Sequence, residues 1–167
     1  EQIKKAISIN GFPDIVVLNA GIYKPIDTKK IDCNDFKVHF EINYLGVINC
    51  LETLVPIMVR NKKGHIVIMG SVAGYRGLPK SAAYGPTKAA LQNLAECLYF
   101  DMYKVGIKVQ IINPGFVETQ ATSINDFKMP DLISASKAGE LIFDGLKSSK
   151  FEISFPKSFV NKMKFLK

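Results

Sequence analysis

Three times this chain repeats one device: a short apolar, β-branched run that ends in small or turn-forming residues. Asp14–Leu18 leads into Asn19-Ala20-Gly21, His65–Met69 into Gly70-Ser71, and Ile107–Ile112 into Asn113-Pro114-Gly115. Runs this short, apolar on consecutive positions, are strands buried on both faces of a parallel sheet. Long helical patterns separate them. Alternating strands and helices predict an α/β fold with a doubly wound parallel sheet, and they bring all three turns to one edge. That carboxyl edge is where open sheets of this kind bind ligands.

The intervening pattern fills in the rest. Ile3, Ala6 and Ile7 mark a helix stopped by Asn10-Gly11. Asp32 or Asn34 caps a second helix whose apolar positions, from Phe36 through Leu45 to Val55, run around much of its circumference, so extensive burial is expected. A third is expected from about Ala82 to Lys104, with Leu91, Leu94, Leu98 and Met102 on one face. Gln120 to Ile133 is polar and mixed, either a cover over a substrate or a plain connection. Ser136 to Leu146 reads as a helix and Phe151–Phe155 as a final strand. Residues 155–167 form an amphipathic basic tail, expected to pack on the body or a partner subunit rather than on an anionic membrane.

Composition narrows the function classes. The 167 residues are 47% hydrophobic and 22% charged, enough for one domain, 1–167, with a real core. No apolar run reaches the roughly 18 residues of a membrane span. Cys33, Cys50 and Cys97 are odd in number and lack metal-ligand spacing, so free thiols in a reducing cytoplasm are expected and no metal site. Cys50 and Cys97 fall in helical patterns, where a small buried apolar role is expected. The net charge of +7 comes from scattered lysines, which argues for a solvated surface and against a nucleic-acid face.

The chemistry concentrates between residues 70 and 88. Tyr84 and Lys88 lie four apart and share a helix face. Ser71 follows a strand's carboxyl end. A phenol is a poor acid or base at neutral pH, and an ammonium nearby favours the phenolate. A serine hydroxyl beside the phenol can hold a carbonyl or alcohol oxygen. The trio suits moving a proton on an oxygen whose carbon exchanges a hydride. Asn43, on the second helix, is either a surface or backbone-bonded asparagine or a polar group at the crevice holding a water.

Taken together, Asn19-Ala20-Gly21, Asn43, Ser71, Tyr84-x-x-x-Lys88 and Pro114-Gly115, in this order and spacing, resemble the short-chain dehydrogenase/reductase family of classical type. The resemblance implies a Rossmann-like sheet and hydride transfer between a nicotinamide cofactor and a carbonyl or secondary alcohol. It makes Tyr84 the acid/base. Lys88 lowers the phenol's pKa and holds the ribose, Ser71 orients the substrate oxygen, and Asn43 completes the set through a water linked to Lys88. Asn19, Ala20 and Gly21 are implied to lie along the cofactor. Pro114, Gly115, Val117 and Thr119 are implied to hold its nicotinamide end and pyrophosphate. The family usually carries a second serine before the catalytic one, where this chain has Gly70.

One departure is large. The glycine-rich turn that sets backbone N–H groups against a pyrophosphate is missing, so the sheet is expected to be incomplete, lacking two or three βα units of roughly 30 residues each. The remaining sheet is then expected to show apolar faces and an open edge. The cofactor is NADP or NAD, with NADP slightly favoured, because the segment that chooses between them is missing too. Helices spanning roughly 35–60 and 82–104 are implied to form a homo-oligomer interface. The alternative is a non-catalytic binding or oligomerisation module. Leu78, Phe116 and Met129 point mildly to an apolar carbonyl substrate.

Overall fold

The computed structural model describes residues 1–165. Its centre is a four-stranded sheet of β1 (Ile15–Leu18), β2 (His65–Met69), β3 (Lys108–Pro114) and β4 (Glu152–Phe155), all parallel and in that spatial order. The third strand runs two residues further than its apolar run, through Asn113 and Pro114. Pro114 has no N–H to donate, but its register partner is Phe155, and Gly115 N closes the ladder on Phe155 O at 2.7 Å.

Strand alternation sorts the core into two layers. Leu18, Ile66, Ile68, Val109 and Ile111 face α3 (Gly46–Asn61) and α4 (Tyr84–Tyr103), with α1 (Gln2–Asn10) against α3. Val67, Ile112, Ile153 and Phe155 face the other way, onto α5 (Ala135–Lys147). All three strand-to-strand connections step in the same direction, yet α5 lies opposite α3 and α4. The β3–α5–β4 connection is therefore of opposite hand to the first two, against the strong right-handed rule. Ser134 caps α5, accepting from Lys137 N at 3.2 Å. From below, Gln110 and Lys108 of β3 donate to its last carbonyls and those just beyond, including Leu146 O at 2.8 Å and Lys150 O at 2.6 Å.

α2 (Cys33–Phe40) is capped by the Asp32 carboxylate, which accepts from Asn34 N at 2.9 Å. It continues through a π-helical turn, Glu41–Leu45, into α3. The rod Cys33–Asn61 is long and apolar enough on composition to cross a membrane. Its inner stripe (Val47, Leu51, Leu54 and Met58) is nevertheless buried on the sheet, as in a core helix. The extensive burial expected of it is found on one side only. Val38, Phe40, Ile42, Leu45 and Val59 remain exposed, because the sheet covers only one side. Cys97 is likewise exposed on α4 rather than buried, and all three cysteines are free.

The open edge is present. β1 is an edge strand, and Ile15 and Val17, on the face opposite α3, are 47% and 45% exposed. The tail forms α6 (Lys157–Phe165), which packs Phe159, Val160 and Met163 against Val72, Tyr75, Leu78 and Phe116 of the body. Leu166 and Lys167 lie outside the described residues.

Candidate active site

β2 ends at Met69, and Gly70 N still donates to Ile112 O of β3 at 2.7 Å. Ser71 then caps a 3-10 turn, Val72–Gly74, its Oγ accepting from Ala73 N at 3.1 Å. Its backbone N–H donates to Asn113 Oδ1 on the neighbouring strand at 3.0 Å. Asn113 is fully buried. Its amide donates to Gln92 Oε1 and Glu152 Oε1, both at 2.8 Å, while Glu152 also takes Tyr75 OH and Lys164. This network explains Gly70: a Cβ there would overlap Asn113 Oδ1 and come within 3.0 Å of Ile111 Cδ1. The same closeness recurs at Gly74, where a Cβ would sit 2.8 Å from Lys88 O, so the turn lies directly on α4.

Tyr84 opens α4, and one turn later Lys88 places its ammonium 5.5 Å from the Tyr84 ring centroid. The rings of Tyr23 and Tyr84 meet in a T-shaped arrangement, with centroids 5.3 Å apart. Lys88 is buried and donates to Met69 O at 2.8 Å. Burial holds its pKa down to about 8. The lowered phenol pKa expected from Lys88 is not found. Burial pushes Tyr84 up to about 12, hydrogen bonding to Ser71 opposes this, and Tyr23 adds to it. Desolvation is the largest influence on the buried phenol, while the Lys88 ammonium is committed to the Met69 carbonyl at 2.8 Å. At neutral pH Tyr84 is therefore a neutral acid carrying its proton.

Asn43 is fully buried in the π-helical turn. Its amide clamps one peptide, accepting from Ile22 N at 2.7 Å and donating to Ile22 O at 3.0 Å and Thr87 Oγ1 at 3.2 Å. Gly21 lies against it: a Cβ would come 3.2 Å from Asn43 Oδ1 and 3.7 Å from Lys88 Nζ. So Asn43 and Lys88 converge on a glycine whose missing side chain leaves a cradle between them.

Ser71 and Tyr84 face a cavity of about 560 Å³, whereas Gly21, Asn43 and Lys88 lie outside its lining. Ser71, Tyr84, Gly115, Leu78 and Phe116 line it, as expected from the sequence; Met129 does not, its sulfur accepting from Asn125 Nδ2 at 3.3 Å. Asn19, Ala20, Pro114, Val117 and Thr119 do not line it either. Asn19 and Ala20 are exposed at the end of β1, and Thr119 closes a local turn with Thr122. The segment after Thr119 does cover the cavity. Asp126 pairs with Lys80 across the mouth at 2.7 Å, and Tyr23 OH donates to Asn125 Oδ1 at 3.3 Å. Tyr23, Asn113, Phe127 and Phe159 were missed by motif reasoning, since each reaches the site from a distant part of the chain.

Residues 1–128 match the family model described as short chain dehydrogenase. The chain belongs to the short-chain dehydrogenase family. Among curated relatives, this short-chain dehydrogenase chain is 36% identical over 156 residues to an uncharacterized oxidoreductase of Myxococcus xanthus, covering 93% of this chain and 62% of the relative. It is 39% identical over 110 residues to mouse dehydrogenase/reductase SDR family member 7B, covering 65% of this chain and 34% of that protein. It thus spans less than two thirds of either relative. Its fold matches the crystal structure of a short chain dehydrogenase from Burkholderia cenocepacia in complex with NADP, with TM-score 0.84 at 20% identity, over 97% of this chain and 69% of that one. The Rossmann-like expectation holds for the fold.

Proposed function

We propose that this chain carries the reactive centre of an NAD(P)-dependent oxidoreductase acting on a carbonyl or secondary alcohol. The observation that carries the reading is the convergence of Ser71, Tyr84 and Lys88 at the carboxyl edge of the sheet, beside a 560 Å³ cavity. The cradle at Gly21, between Asn43 Oδ1 and the Lys88 ammonium, fits the ribose end of a nicotinamide cofactor. The chemistry a bound nicotinamide supplies is hydride transfer to or from the substrate carbon. NADP in the similarly folded Burkholderia enzyme supports NADP first, with NAD as the other option.

In this reading Ser71 Oγ hydrogen-bonds the substrate oxygen and fixes it beside the phenol. In reduction Tyr84 gives its proton to that oxygen as negative charge develops there, and in oxidation it takes the proton back. Lys88 holds the ribose hydroxyls and, with its charge brought to bear on the phenol, lowers the cost of the transient phenolate. Asn43 keeps the 19–22 loop in place and supports a water that links it to Lys88. Pro114, Gly115, Val117 and Thr119 bear on the nicotinamide and pyrophosphate, and Asn19 and Ala20 lie along the cofactor.

The exposed outer faces of α2 to α4, with Phe40, Leu45, Phe100 and Tyr103, support a homo-oligomer. Phe100→Glu then shifts the protein to a smaller species in sedimentation analysis, and an unchanged distribution removes that interface. The oxidoreductase reading is tested by fluorescence titration with NADPH and NADH, and by Tyr84→Phe. The variant keeps nucleotide affinity and loses about 10²–10⁴-fold in kcat. Retention of the reductase rate by Tyr84→Phe overturns the reading.

A further inference from the structure

We infer that the substrate is an apolar carbonyl compound, or its alcohol, whose hydrocarbon part extends from Tyr84 to an aromatic wall formed by Phe116, Phe127 and Phe159. The inference rests on the oxidoreductase reading and specifies its substrate class.

The wall is built from three separate parts of the chain. Phe116 follows β3, Phe127 sits in the covering segment, and Phe159 is on α6. Phe116 meets Phe127 edge-on at 5.8 Å and lies tilted beside Phe159 at 5.5 Å. Gly115 makes room for it, since a Cβ there would stand 3.0 Å from the Phe159 ring. Val72, Leu78 and Pro130 extend the apolar surface.

The polar groups around this space already have partners. Tyr23 OH is held by Asn125, and Thr122 Oγ1 donates to Val117 O at 2.6 Å. Lys80 and Asp126 satisfy each other at the mouth. Lys128 stands on the exposed rim, where its charge remains in water. Inside, the Ser71 hydroxyl and the Tyr84 phenol stand at one end, Ser81 Oγ donates to Pro79 O at 3.4 Å, and the rest of the surface is predominantly carbon. A polyhydroxylated or carboxylated substrate would lose its hydration here without gaining hydrogen bonds. A volume of about 560 Å³ lies within the range of sites that enclose a drug-sized ligand.

The test is a series of straight-chain alkan-2-ones, from butanone to decan-2-one, assayed with NADPH, with dihydroxyacetone as the polar competitor. Burial of successive methylenes raises kcat/KM about two- to fourfold per carbon until the wall is reached. Phe127→Ala, a change on a half-exposed ring in a surface segment, flattens the last increments of the series. Calorimetric binding of decan-2-one supplies a readout independent of turnover. Turnover that is flat across the series, or that favours dihydroxyacetone, overturns the inference and leaves the oxidoreductase reading standing. Length-dependent ketone binding without any turnover sustains the apolar ligand class and overturns the redox reading instead.

Discussion

The carboxamide of Asn113 occupies the space that a side chain at residue 70 would need. Gly70 directly follows β2 and Asn113 lies on neighbouring β3, and the amide that excludes a Cβ at Gly70 is the one that holds the Ser71 N–H. Glycine at this position is therefore tied to asparagine at 113, and together they set where the Ser71 hydroxyl points.

Gly70→Ala should destabilise the fold by about 1–3 kcal/mol, as overpacking of a dense core does. The cost should be partly recovered in Gly70→Ala/Asn113→Ala, because the displaced group is gone. Urea unfolding of the four proteins gives the coupling energy. Additive effects, within about 0.5 kcal/mol, would show that the two residues do not compete for space.

Lys88 should be a stability liability at neutral pH. Below about pH 8 it is charged both folded and unfolded, and the folded state bears the whole desolvation cost. Between about 8 and the ordinary 10.5, the folded lysine is neutral while the unfolded one keeps its proton, so stability rises with pH across that window. Lys88→Met should then be more stable than the parent by about 1–3 kcal/mol at pH 7, the gap closing by pH 10.5, while turnover is lost. A gap that stays constant over this range would contradict the argument.

Asn43→Ala strands the N–H and C=O of Ile22, both held by one amide. We expect a loss of about 1–3 kcal/mol in unfolding free energy and weaker nucleotide binding as the 19–22 loop loosens. Full stability with weakened binding would move Asn43's role from clamping the loop to direct contact.

Lys80→Ala breaks an exposed ion pair across the cavity mouth. Pairs of this exposure contribute little to stability, so the melting temperature should stay within error. The covering segment loses an anchor, and KM for ketones should rise with kcat unchanged. A fall in kcat at constant KM would place the pair elsewhere in the cycle.

Much of this architecture could be read along the chain. The β-branched runs and their terminal turns announce the parallel sheet, and the spacing of Ser71, Tyr84 and Lys88 survives folding as spatial proximity. What could not be read depends on neighbours distant in sequence. Gly70 looks like a missing serine until Asn113 is seen beside it. Met129 looks like lining until its sulfur is found bonded to Asn125, while Phe127, unremarked in the sequence, and Phe159, read there only as part of the amphipathic tail, complete the wall. The expected Lys88 effect on Tyr84 assumed that charge proximity outweighs burial, and burial prevails. Apolar residues run around much of the circumference of α2 and α3, but a four-stranded sheet covers only one side of it.

The reversed hand of the β3–α5–β4 connection has a consequence for how this scaffold can change. The chain leaves β3 at the carboxyl edge of the sheet and enters α5 on the far face, and on the way residues 121–130 cover the cavity beside Ser71 and Tyr84. Their length has a floor, set by that crossing, but hardly a ceiling, since doubling a loop costs only about 0.6 kcal/mol in closure entropy. Insertions and substitutions there can redraw what the cavity admits while Ser71, Tyr84 and Lys88 stay fixed on the strand turn and helix below. The part of the molecule that selects a substrate is thus free to diverge faster than the part that would transform it.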